Sequence, residues 1–294
     1  MTSAVDADKR RPHCDWWLSG TPLGAPHNRL MQQRRAAIPW DENTAHELTD
    51  AQRSRLGKVW RTRAEAEYMT VSTLGILAFD LAATSAPADI LSHYHRQAID
   101  EIRHAELCLR MANIYTGERP VPTPVMSNLP NVPERPRLQQ AAANVLLISC
   151  VAETYGLTIL SEVRKHATDK TTAAVLTAIY GDELLHSRVG WAYLRYAIRV
   201  GGQAVIDVLS ETVAWAVEHI AGEVERPRPN EPIPDVLRRH GIMLPAEERV
   251  VYSEFVRDVL APGLIELGVD VGTIVEDYDG AWAAKPPPEP DAGS

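Results

Sequence analysis

The chain contains the pattern Asp-Glu-x-x-His twice, at Asp100–His104 and at Asp182–His186. With 39 acidic residues and 10 His among 294 residues, composition alone produces this pattern roughly 0.04 times per chain. On a helix, residues three apart lie on one face, so each pattern places a carboxylate beside an imidazole. Carboxylate-rich groups with one imidazole per metal suit iron or manganese better than zinc.

Four predicted helices position these groups, and each has an apolar stripe that recurs in steps of three and four residues. Each stripe contains one Glu, and two of the stripes add a His one turn later. In chain order the stripes carry Glu67; Glu101 with His104; Glu153; and Glu183 with His186. We therefore expect four carboxylates and two imidazoles to point into one core.

Spacing along the chain also places these side chains at one height. Glu67 and Glu101 lie equally far from residue 84, in the first predicted turn, and Glu153 and Glu183 equally far from residue 168, in the second. Buried carboxylates repel one another and are costly to desolvate. Two divalent cations would cancel four carboxylate charges, so the pattern predicts a two-metal site. The alternative is that the Glu side chains face solvent and that the His side chains are buried in the core with ordinary hydrogen-bond partners.

Composition excludes several other classes of protein. The net charge of −9 gives no basic surface for nucleic acid. Three Cys without a Cys-x-x-Cys pair argue against a disulfide scaffold or a zinc ribbon. The N-terminus lacks the apolar run of a signal peptide, and Asp80 and Glu153 interrupt the most apolar segments. We expect a cytoplasmic protein that contacts neither nucleic acid nor a membrane.

The order of helices and breaks predicts an all-α fold. We expect an irregular N-terminal arm over 1–47, a helical bundle with a fifth helix over 48–222, a linker with C-terminal helices over 223–280, and a disordered tail over 281–294. A Pro-rich crossover at 116–136 separates two helix hairpins, Asp169 can cap the fourth helix, and two C-terminal helices are predicted near 246–262 and 263–277. Two hairpins joined by one long connection are typical of a ferritin-like four-helix bundle, although other antiparallel bundles fit as well.

At these residues the chain resembles the ferritin-like di-iron carboxylate proteins, in which two helices give a Glu and two give Glu-x-x-His. The resemblance covers about residues 60–200. It implies that Glu67, Glu101 and His104 bind one iron, that Glu153, Glu183 and His186 bind the other, and that Glu101 and Glu183 bridge the pair. The stretch Asp-Glu-Ile-Arg-His is also similar to the hydroxylase subunits of bacterial multicomponent monooxygenases. That likeness gives Asp100 and Asp182 the role of accepting a hydrogen bond from a ligand imidazole, with Arg103 as a partner of one of them.

Two positions depart from particular branches of this superfamily. Cys108 stands one turn after His104, where the small subunit of ribonucleotide reductase has its radical tyrosine, which argues against a tyrosyl-radical generator. Ile179 stands one turn before Glu183, where arylamine N-oxygenases add a third His. The resemblance therefore indicates the superfamily and no single family within it.

The resemblance implies an enzyme, an oxidase or oxygenase that activates O2 at two iron ions, or at a manganese–iron pair. Its substrate would be a small organic molecule that is hydroxylated, desaturated or N-oxygenated. The sequence has no flavin or ferredoxin motif, so a separate reductase or ferredoxin, or a co-substrate, would supply electrons. The enzyme would be a monomer or a homodimer. Two alternatives use the same residues: an iron-handling protein with ferroxidase or peroxide-scavenging activity, and a non-enzymatic helical interaction protein that keeps a silent metal site.

Overall fold

The computed structural model describes residues 38–118, 129–225 and 233–272. Within these residues the chain is helical and forms no β-strand. The prediction of an all-α fold is therefore confirmed for the described part of the chain. The expected arm over 1–47 is described only from residue 38, where two short 3-10 helices, Trp40–Glu42 and Ala45–Glu47, precede the first long helix. The expected tail over 281–294 lies outside the described residues.

Long helices follow in the predicted order. They are α1, Asp50–Ala83; α2, Ala88–Thr116; α3, Arg137–Val145; α4, Glu153–His166; α5, Lys170–Gly201; and α6, Gln203–Glu225. A π-helical segment, Leu146–Ala152, joins α3 to α4, so that residues 137–166 form one continuous rod. The π-helical segment ends directly before Glu153, and such segments occur frequently at functional sites.

Local side-chain chemistry sets the ends of the long helices. Thr49 and Gln52 form a capping box at the start of α1. Gly117 ends α2 in the left-handed conformation, at φ 71°, which costs a glycine little. The Asp169 carboxylate accepts a hydrogen bond from the backbone N–H of Thr172 at 2.8 Å, so the predicted cap of α5 is confirmed.

The C-terminal region differs from the predicted pair of helices. A short helix, α7, spans Asp235–Arg239, and a longer helical rod then runs through α8, Pro245–Glu254, a π-helical segment, Phe255–Leu260, and α9, Ala261–Glu266. The predicted break at residue 262 is therefore wrong. The π-helical segment ends two residues before Pro262, and such segments accompany interruptions of the regular hydrogen-bond ladder.

Apolar side chains form two separate clusters, one at each end of the long helices. The upper cluster includes Leu74, Tyr94, Leu146 and Tyr193, and the lower one includes Trp60 and other side chains of α1, α2, α4, α5 and α7. Along α1 and α5 the chain passes from the lower cluster to the upper one, whereas along α2 and the rod α3–α4 it passes from the upper to the lower. Helix α1 packs on α2, α4 on α5, and α2 on α5.

The rod Arg137–His166 has the length and composition of a membrane-spanning helix, with mean hydropathy 1.5 over its most apolar 18 residues. Half of that window is buried inside the protein, and Glu153 lies in the rod. Core helices of globular proteins share these properties. The expectation that the chain avoids membranes therefore stays a prediction.

Candidate metal centre

A polar layer separates the two apolar clusters at the middle of the long helices. On each of the four helical rods the residues of one cluster end before the acidic positions, and those of the other cluster begin after them. The layer contains Glu67 from α1, Glu101 and His104 from α2, Glu153 from α4, and Glu183 and His186 from α5. The structure thus brings together all six side chains that the sequence indicated.

These side chains form two groups of four that share two members. One group comprises Glu67, Glu101, His104 and Glu183, and the other comprises Glu101, Glu153, Glu183 and His186. In each group, one ligand atom per residue lies within 4.8 Å of all the others. Glu101 and Glu183 belong to both groups, as expected of carboxylates that bridge two ions.

The Nδ1 atom of each imidazole points toward several carboxylate oxygens at once. Nδ1 of His104 lies 3.0 Å from Oε1 of Glu183, 3.3 Å from Oε2 of Glu101 and 3.8 Å from Oε2 of Glu67. Nδ1 of His186 lies 3.0 Å from Oε1 of Glu101 and 3.2 Å from Oε2 of Glu183. Nitrogen and oxygen atoms that lie this close together could hold a metal ion.

The Nε2 atom of each imidazole contacts an Asp on the opposite helix. Nε2 of His104, on α2, lies 3.4 Å from Oδ2 of Asp182, on α5. Nε2 of His186, on α5, lies 3.5 Å from Oδ2 of Asp100, on α2. When the imidazole is neutral and Nε2–H donates to an Asp, the lone pair of Nδ1 faces the carboxylates, and this is the orientation that a metal ligand needs.

Arg103 connects the two Asp residues. Its guanidinium pairs with the carboxylate of Asp100 and lies 3.4 Å from Oδ2 of Asp182. Arg96, one turn before Asp100 on α2, adds a contact of 3.1 Å from Nε to Oδ1 of Asp100. The sequence suggested one Asp partner for Arg103 and did not single out Arg96, although the spacing of four residues is typical of helical ion pairs.

The pKa values of the layer separate its carboxyl groups into two kinds. Burial raises the pKa of Glu67 to about 8 and raises that of Glu153 well above its usual range. Burial opposes ionisation of Glu101 and Glu183 too, but the two imidazoles outweigh it and lower both pKa values. In the metal-free protein the surroundings therefore favour the ionised form of Glu101 and Glu183 and the protonated form of Glu67 and Glu153.

Both imidazoles hold an extra proton in the metal-free protein. Burial alone lowers the pKa of His186, yet the carboxylates of Glu101 and Glu183 raise it to about 10. Burial likewise opposes protonation of His104, but its carboxylate neighbours, Asp182 first among them, raise its pKa well above the ordinary value. Two imidazolium ions thus balance the two ionised carboxylates, and divalent cations would displace protons to bind.

The residues present fit a pair of divalent cations. Oε1 of Glu101 and Nδ1 of His104 are buried, and each lies 3.0 Å from another member of the layer. Cations that bind among these atoms would take the place of the protons that they share. An oxygen-rich set with one nitrogen per group suits iron or manganese by ligand chemistry. The structure supports a metal-binding cluster and leaves the identity of the metal open.

Positions near the layer agree with the departures seen in the sequence. Cys108 and Ile179 are buried in the lower cluster, one turn from His104 and Glu183 respectively. Burial raises the pKa of the Cys108 thiol, so it remains protonated. Cys150, one turn before Glu153, is buried in the upper cluster with a thiol pKa that is raised in the same way. Neither thiol has the properties of a reactive thiolate.

Comparisons of the chain with protein-family models, curated proteins and solved structures give no match.

Proposed function

We propose that the protein is a ferritin-like, non-haem di-iron or manganese–iron enzyme that activates O2 to oxidise a small organic molecule. The observation that carries the proposal is the pair of four-residue groups that share Glu101 and Glu183. A single metal site would not need two imidazoles that face the same two carboxylates from opposite helices. The cross-helix contacts of both imidazoles with Asp100 and Asp182 add support, because such contacts orient metal ligands.

Helix directions support the ferritin-like part of the proposal. Helices α1 and α5 run one way and α2 and the rod α3–α4 run the other way, with one long connection between α2 and α3. Ferritin-like bundles use a single long crossover, and their carboxylate ligands project inward from all four helices. The layer of acidic side chains between the two apolar clusters, with members on all four helical rods, supports this part of the proposal.

In the proposed site each residue has a defined place. Glu67 and His104 would hold one ion, Glu153 and His186 the other, and Glu101 and Glu183 would bridge them. A carboxylate-ligated iron pair supplies the capacity to reduce O2, which no side chain of the protein has. The protein contributes the fixed positions of the ligands and an interior from which the two apolar clusters exclude bulk water.

The protein's own groups also hold the protons of the site. The Nε2–H groups of His104 and His186 donate to Asp182 and Asp100, which keeps each Nδ1 directed at the carboxylates. Arg103 is buried against both Asp residues and stabilises their negative charge. The Glu67 side chain is 22% exposed, against 1% for Glu101, and Glu153 on α4 is also partly exposed, so the layer can be reached beside α1 and beside α4. Substrate and O2 would approach on one of these sides.

Catalytic turnover in this proposal needs electrons from outside the chain. A reductase or ferredoxin would supply them, because the sequence has no flavin or iron–sulfur motif. The proposed enzyme would act in the cytoplasm as a monomer or a homodimer. Iron storage, in contrast, needs a shell of many subunits, so the size of the assembly separates these two functions.

The deciding experiment is anaerobic loading with Fe(II), followed by exposure to O2 and observation by optical absorption and Mössbauer spectroscopy. We expect two iron ions per chain, antiferromagnetically coupled after oxidation, in a particle no larger than a dimer. Oxidation of many iron ions per chain in a large assembly would favour iron handling instead. If no iron or manganese binds on reconstitution, the protein is not a metalloenzyme.

A further inference from the structure

Helix α2 carries a buried side chain, Gln97, that has no hydrogen-bond partner among the described residues and lies on the face that holds Glu101 and His104. Gln97 is 1% exposed, and neither its Oε1 nor its Nε2 makes a hydrogen bond within the described residues. Gln97, Glu101 and His104 follow one another in steps of four and three residues, so they lie on one stripe of the helix. Metal ions would satisfy Glu101 and His104 but would leave Gln97 without a partner.

Other buried polar side chains in the same region do find partners. The hydroxyl of Tyr94, one turn before Gln97, lies 2.9 Å from the hydroxyl of Ser149. Thr154 donates from its hydroxyl to the backbone oxygen of Ser149 at 3.2 Å, and Thr73 donates to the backbone oxygen of Met69 at 3.1 Å. These hydroxyl groups find partners within the described residues, whereas the amide of Gln97 does not.

An unpartnered buried amide destabilises a folded protein, because its loss of water is not compensated. Gln97 stands one helical turn, about 6 Å along the axis, beyond Glu101. A small ligand bound at the metal centre and directed along the bundle would lie between the metals and this amide. Such a ligand would supply the hydrogen-bond partner that the protein itself does not provide.

We propose that the amide of Gln97 donates a hydrogen bond to a small exogenous ligand with an oxygen or nitrogen acceptor, held at the metal centre. The inference rests on the proposed function, because the ligand needs the metals to bind. Gln97 would thus bind the ligand directly and would not be a metal ligand. Its amide costs folding stability in the metal-free chain and stabilises the ligand-bound state.

Azide is a suitable probe, since it binds ferric centres, accepts hydrogen bonds and gives an optical band that reports its binding. In iron-loaded, air-oxidised protein we expect Gln97→Met to weaken azide binding about five- to tenfold, the effect of one hydrogen bond. The iron content should stay at the wild-type value. In metal-free protein the same variant should unfold at a temperature equal to or higher than that of the wild type.

Gln140 provides the matched control, because it is also a buried Gln on the helical rods and its amide is fully paired. Its Nε2 donates to Pro130 and Asn144, and its Oε1 accepts from the backbone N–H of Val132. We expect Gln140→Met to lower the unfolding temperature and to leave azide affinity unchanged. Gln97→Met should thus change azide affinity without loss of stability, whereas Gln140→Met should lower stability without a change in azide affinity.

Several results would overturn the proposal. If Gln97→Met destabilises the metal-free chain as much as Gln140→Met does, a structural water satisfies the amide. If azide affinity is unchanged in iron-loaded Gln97→Met, the amide does not contact the ligand, although the metal site itself stands. If Gln97→Met fails to fold, Gln97→Leu is measured, and failure of both contradicts an unpaired amide. Wild-type protein that binds no metal would remove the proposed function together with this inference.

Discussion

The imidazole of His104 is supported by Asp182 on a different helix, with 3.4 Å between Nε2 and Oδ2. The Asp that precedes Glu101 in the same motif, Asp100, contacts His186 instead. In each Asp-Glu-x-x-His motif, the Glu and the His therefore lie in the polar layer, whereas the Asp contacts the imidazole of the other motif. This exchange links α2 and α5 through both halves of the site.

These cross-helix contacts predict which imidazole is affected when either Asp is replaced. Replacing Asp182 by Asn removes the charge that holds Nε2–H of His104, so we expect about 10- to 100-fold weaker metal binding at the half that contains His104. Asp100→Asn should weaken the half that contains His186. Competition with a chelator measures both affinities, and Asp207→Asn on the exposed face of α6 serves as control. Unchanged affinity in both variants would show that these contacts do not orient the ligands.

The shared positions of Glu101 and Glu183 predict different stoichiometries for different Glu→Ala variants. Removing either shared carboxylate should abolish tight binding of both ions, because each belongs to both groups. Removing Glu67 or Glu153 affects only one group and should leave about one ion per chain.

Elemental analysis of the gel-filtered protein gives the metal count for each variant. Glu162→Ala is the control, because this carboxylate pairs with Lys165 on α4 outside the metal layer. Equal loss of metal in all four site variants would contradict the division into shared and unshared carboxylates.

The raised pKa values predict how the stability of the metal-free chain depends on pH. Glu67, with a pKa of about 8, and His186, with a pKa of about 10, hold protons that the unfolded chain releases near its ordinary values of 4.5 and 6.5. Their contribution to stability is complete below those ordinary values and is lost as pH rises through the folded-state pKa values. The unfolding temperature of the metal-free protein should therefore fall between about pH 5 and about pH 10.

Metal binding should reverse this dependence, because the cations replace the protons. Stabilisation by metal should consequently increase with pH over the same range. Thermal unfolding at several pH values, with and without metal, measures both trends. Glu67→Gln should flatten the metal-free curve between about pH 5 and about pH 8, and an unaltered curve would show that Glu67 ionises normally in the fold.

The packing of α5 against the π-helical segment predicts the effects of two Gly→Ala changes on α5. A Cβ at Gly190 would lie 2.4 Å from Cβ of Ser149 and 3.1 Å from Sγ of Cys150, in the π-helical segment before Glu153. Gly190→Ala should therefore lower stability by about 1–3 kcal/mol, the usual effect of overpacking. Because the clash displaces the segment that leads to Glu153, metal affinity should fall as well.

Gly181 provides the comparison on the same helix, since a Cβ there meets no atom of the described residues within 4 Å. Gly181→Ala should raise stability by about 0.5–1 kcal/mol through helix propensity alone. Chemical denaturation measures both changes. A neutral result for Gly190→Ala would mean that the two helices can separate without cost.

Some features of this protein follow from its sequence alone. The apolar stripes have a period that only helices satisfy, so the six acidic and imidazole positions could be assigned to inward faces. Glu67 and Glu101 share a height because α1 and α2 form a hairpin, and hairpin geometry depends on chain length and on the position of the turn. Asp169 could be assigned as a cap because capping requires only local contacts, and the structure confirms it.

Other features were decided only by the tertiary structure. The sequence places Asp100 beside Glu101 and His104 but does not show that its carboxylate contacts His186, because that contact depends on how α2 and α5 face each other. The bridge from Arg103 to both Asp residues and the isolation of Gln97 depend on the same packing. No sequence pattern near Glu153 predicts the π-helical segment that precedes it. The segment packs closely against Gly190 on α5, a contact that depends on how two helices distant in the chain pack together. Local periodicity fixes which face of a helix a residue occupies, but its partners depend on packing between helices distant in the chain.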